Sequence, residues 1–217
     1  MTKILFSIFI CSITSWGNSQ TMSYDFAQPL SPSGIEVETV SDSYFGSYKL
    51  DDKLFIFDEN GIKSKTTIYL SISRETIREN SAFFVRNGYL FGMKKNDSIP
   101  CFLKGENYYY GLREEVEILG ENTLNKLIDD GSSYYLNFYE TGKWIPARLT
   151  FKGKHLKIAY FDYPDTTHIF NSIALKTEDN EDGLRILTLW PTEKEWQLLD
   201  KQVLFPKELV FNKEENF

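Results

Sequence analysis

The residues best suited to catalysis or metal binding lie in one short segment of the chain. Asp162, Asp165 and His168 fall within seven residues. A carboxylate and an imidazole three residues apart can share a metal ion, or the imidazole can act as a base beside its orienting acid. The same segment contains Pro164, and Asp and Thr are ordinary residues of a proline-containing turn. The pattern gives a hydrolase hypothesis for these three residues, with a surface turn as the plainer interpretation.

Aromatic residues form the second set of candidates. Tyr108, Tyr109 and Tyr110 are consecutive, and strand alternation places Phe102, Tyr109 and Trp144 on outward positions. Outward aromatic side chains can form a ligand or partner surface. In a layered β-protein such positions can equally face a second layer. The predicted binding surface therefore consists of Phe102, Tyr109 and Trp144.

The sequence gives less support to a reactive cysteine, a calcium site or a phosphate-binding site. Alternation puts Cys101 on the same face as Ile99 and Leu103, which predicts a buried thiol that packs as a small hydrophobe. The acidic segment 178–183 resembles a calcium loop only in part, because Leu189 stands where a bidentate Glu is required. There is no phosphate-cradling Gly-rich loop and no paired-cysteine motif. We therefore predict no metal and no cofactor.

The first residues of the chain predict export. Residues 1–19 combine Lys3, a short apolar stretch and the small residues Gly17 and Ser19 before a possible cut, the pattern of a secretory signal peptide. Lipidation at Cys11 is a less favoured alternative, because the residues before it are not small. The Lys-over-Arg bias suggests a bacterium. The predicted location is therefore the periplasm, the cell surface or the medium.

Charge and hydropathy exclude several classes of partner. Removal of residues 1–19 would leave 23 basic and 31 acidic residues, a net charge of −8. Nucleic-acid binding relies on clustered basic residues that neutralise phosphates, so it is not expected. No stretch after residue 20 approaches the ~18 apolar residues of a transmembrane helix. The mature chain is therefore predicted to bind a protein or a small molecule, of unknown identity.

Turn spacing and composition predict an all-β fold. Short apolar runs alternate with turn residues, and Asn60-Gly61 and Asn87-Gly88 are type I′ hairpin signals. We expect an antiparallel meander that forms a barrel or a sandwich, with two or three short helices. The first helix is predicted at 74–79 after Ser73, and the third after the capping box of Thr192 and Glu195. The second has Leu124, Leu127 and Ile128 on one face, with Asn122 or Thr123 to start it and Gly131 to end it.

The chain also shows a weak internal similarity. An Ile-Pro strand, a Lys-Gly turn and a second strand occur at 99–112 and again at 145–160, an offset of about 46 residues. Each copy follows a predicted short helix and an aromatic strand, although similar hairpins can arise by coincidence. The predicted organisation is a signal peptide over 1–19, a loose lead-in over 20–43 and one all-β domain over 44–217.

These observations favour a binding protein over an enzyme. The leading hypothesis is an exported, non-enzymatic β-protein of a bacterial cell envelope that binds a partner or a ligand. One alternative is a β-barrel that holds a small apolar molecule. The other is an exported hydrolase with its site around Asp162, Asp165 and His168.

Overall fold

The computed structural model describes residues 22–92, 98–162, 173–179, 185–199 and 204–214. The strands of this part, in chain order, are β1 (Met22–Phe26), β2 (Ile35–Val37), β3 (Gly46–Leu50), β4 (Lys53–Asp58), β5 (Gly61–Ser73), β6 (Phe84–Arg86), β7 (Tyr89–Phe91), β8 (Ser98–Lys104), β9 (Asn107–Leu119), β10 (Lys126–Asp129), β11 (Tyr134–Glu140), β12 (Lys143–Lys152), β13 (His155–Tyr160), β14 (Ala174–Asp179), β15 (Arg185–Trp190) and β16 (Lys207–Lys213). The helices are α1 (Arg74–Glu79) and α2 (Glu193–Leu198), and a 3-10 helix spans Asp42–Tyr44.

The strands join in one large sheet that does not close on itself. Its main path runs β14-β15-β1-β12-β13-β16-β3-β4-β5-β9-β8-β7-β6, and β11, β10 and β2 branch from β12. Neighbours pair antiparallel except β1 and β15, which are parallel. The predicted all-β antiparallel fold with two or three short helices is confirmed, with two α-helices in the described residues.

The strands β10 to β13 separate two hydrophobic cores. Leu127, Leu136 and Ile158 belong to the first core, with Tyr48, Phe57 and Phe211 from the strands β3, β4 and β16. Their chain neighbours Ile128, Tyr135 and Ala159 belong to the second, with Phe26, Leu189 and Trp196 from β1, β15 and α2. Because successive side chains of a strand point to opposite faces, both faces of these four strands are buried.

This double burial explains the one predicted helix that is wrong. Leu124, Leu127 and Ile128 share a helical spacing, but residues 126–129 form the strand β10. Leu127 is buried in the first core and Ile128 in the second, while Leu124 is exposed. A strand buried on both faces carries consecutive apolar residues, and over so short a run these resemble one face of a helix.

The other two helices begin where the sequence predicts. The Ser73 hydroxyl accepts a hydrogen bond from the Thr76 amide at 3.0 Å, which caps α1. Thr192 and Glu195 form the reciprocal capping box of α2. Both helices are only six residues long, so their stability depends on packing against the sheet.

Only one of the two Asn-Gly pairs occupies the centre of a hairpin turn. Asn87 and Gly88 have φ of +52° and +78° and join β6 to β7, as a type I′ turn requires. Asn60-Gly61 is not the centre of its turn, because Asp58 pairs with Gly61. Gly61 starts β5 with φ of +119°, and a Cβ there would lie 2.1 Å from the Leu119 oxygen. This glycine is required for the close approach of β9.

Residues 20–43 contribute to the packed structure. They contain β1 and β2, and Phe26 and Leu30 are fully buried in the second core. Pro29, Pro32 and Gly34 interrupt any periodic pattern in the sequence. The segment is fixed through long-range contacts: β1 lies between β15 and β12, and Leu30 is bonded to Asn137.

The two similar stretches occupy comparable places in two consecutive meanders. β6 to β9 and β10 to β13 each form four antiparallel neighbours in chain order. The β8–β9 and β12–β13 hairpins both turn through a two-residue loop whose first residue, Gly105 or Gly153, has positive φ. The helix α1 precedes the first meander, whereas the predicted counterpart at 124–128 is a strand.

The strands β5 and β9 form an arm that leaves the main body. They pair from Ile62 and Leu119 to Ser73 and Asn107, and thirteen residues of strand span about 43 Å. Their inner ends reach the first core through Ile62, Ile118 and Leu119. Their outer halves, with α1 and β6 to β8, form the arm lobe, which we define as residues 66–92 and 98–113.

Candidate functional site

The arm lobe is a five-strand sheet with one covered face. Leu90, Ile99 and Tyr110 form a small buried core on that face. Ile77 of α1 packs against it, as do Ile72 of β5 and other partly buried residues. The alternation in β5 and β9 dictates this arrangement, because Leu70, Ile72, Tyr110 and Leu112 occupy same-side positions in the register. The opposite face of the sheet has a different composition.

The opposite face is a continuous row of aromatic residues. Its positions follow from the register: Ser71 pairs with Tyr109, Tyr109 with Phe102, and Pro100 with Tyr89. We call this set the aromatic face: Tyr69, Phe84, Tyr89, Phe91, Phe102 and Tyr109. Four of these side chains are exposed, at 67% for Tyr69, 61% for Phe102, 52% for Phe84 and 44% for Tyr89.

The aromatic rings of this face are ordered by one another. Phe84 stacks on Phe91 with ring centroids 4.7 Å apart, and Phe102 stacks on Tyr109 at 5.6 Å. Tyr69 leans over Gly111, where a Cβ would lie 3.7 Å from the ring. The Tyr69 hydroxyl donates to an Asp52 carboxylate oxygen at 3.3 Å. Cross-strand contacts of this kind hold the rings in place before any partner binds.

Three basic side chains flank the aromatic residues on the same face. Arg86 pairs with Tyr89 in register, Lys104 lies two residues beyond Phe102, and Arg113 lies two residues beyond Gly111. All three are exposed. On the five strands of the described lobe, from Thr67 and Arg113 outward, no Asp or Glu occupies a position of this face. The strand positions of this face are therefore apolar in the centre and basic at the margins, and one carboxylate of the body, Asp52, contacts its edge at Tyr69.

Two of the three predicted surface residues lie together on the aromatic face, and the third lies elsewhere. Phe102 and Tyr109 are a stacked cross-strand pair in the arm lobe. Trp144 is on β12 in the body, half-buried against the second core, with its ring 4.9 Å from that of Tyr139. Lys126 Nζ lies 5.9 Å from the Trp144 ring. Trp144 is thus a packing residue of the body in this structure.

Four residues of the aromatic face were not predicted from the sequence: Tyr69, Phe84, Tyr89 and Phe91. Each alternates outward in its strand, and the Asn87-Gly88 turn sets Phe84, Tyr89 and Phe91 on one side of a tight hairpin. Combining that turn with the register of the β8–β9 hairpin would have joined Phe84, Tyr89 and Phe91 to Phe102 and Tyr109, given that β7 pairs with β8. Tyr69 joins the face through the pairing of β5 with β9.

Of the predicted catalytic residues, only Asp162 is among the described residues. Its carboxylate is 2.6 Å from Lys207 Nζ, and its amide donates to the Leu204 carbonyl at 3.2 Å. Asp165 and His168 lie outside the described residues. The structure therefore shows Asp162 as one half of a surface ion pair.

The acidic segment 178–183 is described only at Glu178 and at the backbone of residue 179. Glu178 contacts Lys176, and Lys143 lies 3.3 Å from both Glu178 and Asp25. The hydrogen bonds from Lys176 and Lys143 lower the pKa of Glu178. Within the described ranges, no group of three His, Cys, Asp or Glu side chains is arranged to hold a metal ion.

Cys101 lies on the covered face of the arm lobe. It is half-buried against the small core, and no disulfide involves it. Burial raises the pKa of its thiol, which lowers the thiolate fraction at neutral pH. This environment is that of a packing residue, as the alternation predicts.

A second cluster of partly buried charge in the body lies around Glu208. Arg148 pairs with Glu208 at 3.2 Å and lies over the Phe205 ring at 5.4 Å, while Lys157 bonds Glu208 at 2.8 Å. The Lys157 hydrogen bond lowers the pKa of Glu208, and burial raises the pKa of Tyr135 beside Arg148. These contacts link β12, β13 and β16, so their role is structural.

Comparison with known proteins adds no identification. No family model, curated protein or solved structure matches the chain. Among the described residues, no helix has the length and apolar character needed to cross a membrane. The aromatic face is therefore the candidate functional site.

Proposed function

We propose that this chain is an exported, non-enzymatic β-protein of a bacterial cell envelope that binds a partner through the aromatic face. The carrying observation is the row of six aromatic residues on one side of a sheet whose other side is already packed. Exposed aromatic clusters of this size on ordered strands are characteristic of binding surfaces. The signal-peptide pattern of residues 1–19 supports the location.

The arrangement suits recognition. Four of the six rings form two stacked cross-strand pairs, so little side-chain entropy is lost at these rings when a partner binds. No observation in the described residues favours the apolar-ligand barrel or the hydrolase, since the sheet is open and Asp162 is paired with Lys207.

Site-specific photocrosslinking in cells that produce the protein tests this proposal. A photoreactive phenylalanine analogue replaces Phe102 on the aromatic face or, as the control, Tyr139, an exposed aromatic residue of the body. We expect a discrete adduct from position 102 and not from position 139. Equal adducts from both positions, or none from position 102, would refute binding through this face.

Cell fractionation tests the proposed export. We expect the protein to be recovered outside the cytoplasm with the N-terminus at Gln20. Recovery of an uncleaved chain from the cytoplasm would reject that part of the proposal.

A further inference from the structure

We infer that the partner of the aromatic face is an acidic protein surface, apolar at its centre and rich in carboxylates at its edge. This inference rests on the proposed function and specifies the chemistry of the partner. Charge complementarity is its first support, because Arg86, Lys104 and Arg113 are exposed around the rings. None of the three forms an ion pair with another described residue.

The charge of the lobe is opposite to that of the whole chain. The chain has a formal net charge of −7, yet the arm lobe, residues 66–92 and 98–113, contains five basic and three acidic residues. Four of the six arginines, at 74, 78, 86 and 113, are in this stretch. A basic lobe on an acidic body attracts an acidic partner to one end of the molecule and repels it from the other.

Two of the three basic residues of the face are arginines, and this favours protein carboxylates as their binding partners. Arg86 and Arg113 present planar guanidinium groups, which bind carboxylates through two parallel hydrogen bonds. Arginine, tyrosine and phenylalanine are the residues enriched at protein interfaces, where they form most hot spots. Lysine would bind an anionic lipid surface equally well, and among the described residues of this face it occurs once, at Lys104.

The stacking of the rings also favours a protein surface as the partner. Phe84 with Phe91, and Phe102 with Tyr109, each turn one ring face towards the neighbour. Fewer open ring faces are then left for a flat ligand such as a sugar ring. Edges and outer faces of such rings fit between the side chains of a protein surface, where aromatic contacts add about 0.5–1.5 kcal/mol per pair.

The size of the face sets the expected affinity. Five strands at about 4.8 Å spacing span roughly 19 Å; β5, β9 and β8 contribute seven residues each, about 23 Å, and β6 and β7 contribute three each, about 10 Å. The resulting area of roughly 400 Å² is about half of what one partner contributes to a standard interface. We therefore expect a dissociation constant on the order of micromolar that weakens with salt.

Binding to a defined acidic polypeptide tests the inference. The probe is a random Glu-Tyr copolymer, which combines carboxylates with aromatic groups, and poly-Glu supplies carboxylates alone. We expect purified protein to bind the copolymer at 50 mM salt, more tightly than poly-Glu, and at least tenfold more weakly at 300 mM salt. Failure of the protein to bind the copolymer would overturn the inference.

Matched variants locate the binding on the face. Arg86→Glu with Arg113→Glu should weaken binding at least tenfold, as should Tyr69→Ser with Phe102→Ser. Lys152→Glu with Lys194→Glu makes the same change in net charge at exposed positions of the body and should change binding less than threefold. An equal loss in this control would show a net-charge effect and refute a specific site.

Two further measurements separate other occupants. Binding to vesicles that contain phosphatidylglycerol, but not to the copolymer, would assign the face to a lipid surface and overturn the inference. Salt-sensitive self-association in sedimentation, abolished by the Arg86→Glu and Arg113→Glu changes, would assign it to the acidic body of a second copy. An adduct at position 102 in cells without copolymer binding would keep the proposed function and reject only the acidic chemistry.

Discussion

The side chain of Asn137 is expected to be a major determinant of stability. It is fully buried on β11 and bonds a segment 107 residues earlier in the chain. Its Oδ1 accepts from the Leu30 amide at 2.8 Å, and its Nδ2 donates to the carbonyls of Leu30 and Tyr135. One amide group thus satisfies both backbone polar groups of a fully buried residue.

The cost of Asn137→Ala can be worked out from these contacts. The substitution leaves the amide and carbonyl of Leu30 buried without their partner, and each such group costs about 1–3 kcal/mol. We expect a loss of about 3–4 kcal/mol, a large share of the 5–15 kcal/mol typical of a folded domain. With a urea m-value of about 2 kcal/mol/M, the midpoint should fall by about 1.5–2 M.

A second asparagine provides the matched control. Asn125 also bridges backbone groups, donating to the Ile118 carbonyl at 2.7 Å and accepting from the Tyr139 amide at 2.8 Å. Asn125 is only half-buried, so water can replace the lost side chain, and Asn125→Ala should cost about 1 kcal/mol. Urea unfolding followed by tryptophan fluorescence measures both. A loss for Asn137→Ala no larger than that of the control would refute the reasoning.

Three other predictions address the fold, the charged cluster and the thiol. Gly61→Ala should destabilise the protein by more than about 3 kcal/mol, because its Cβ would clash with Leu119. Gly105→Ala, whose Cβ meets no atom within 4 Å, should cost only about 1–2 kcal/mol. Urea unfolding of the two variants measures the difference. The folded pKa of Glu208 is lowered, so its stabilisation is present above the ordinary carboxyl pKa and is lost as pH falls through the folded value. Glu208→Gln should therefore lose less stability than the unchanged protein between pH 7 and pH 3, by urea unfolding at both pH values, and an equal loss would contradict this assignment. Iodoacetamide should alkylate Cys101 at least several-fold faster in urea than in buffer at pH 8, by mass spectrometry of its peptide, and equal rates would contradict its burial.

Local signals in the sequence predicted local structure well. The Asn87-Gly88 turn and the caps at Ser73 and Thr192 are confirmed because each depends on residues within a few positions. The helix at 124–128 failed because the burial of Leu127 and Ile128 on opposite faces depends on β1, α2 and the far strands. The pairing of β1 with β15 joins residues over 160 positions apart, and no turn signal specifies it.

The same dependence on distant parts of the chain limits prediction of the candidate site, as three outward aromatic residues show. Alternation places Phe102, Tyr109 and Trp144 outward, and the three differ only in what lies over them. β8 and β9 belong to a sheet with one packed face, so the outward positions of the arm lobe form the aromatic face. β12 lies between two cores, so the outward position of Trp144 is covered by Phe26, Tyr139 and the second core. A strand pattern specifies the side of the sheet, whereas elements distant in sequence determine whether that side can bind a partner.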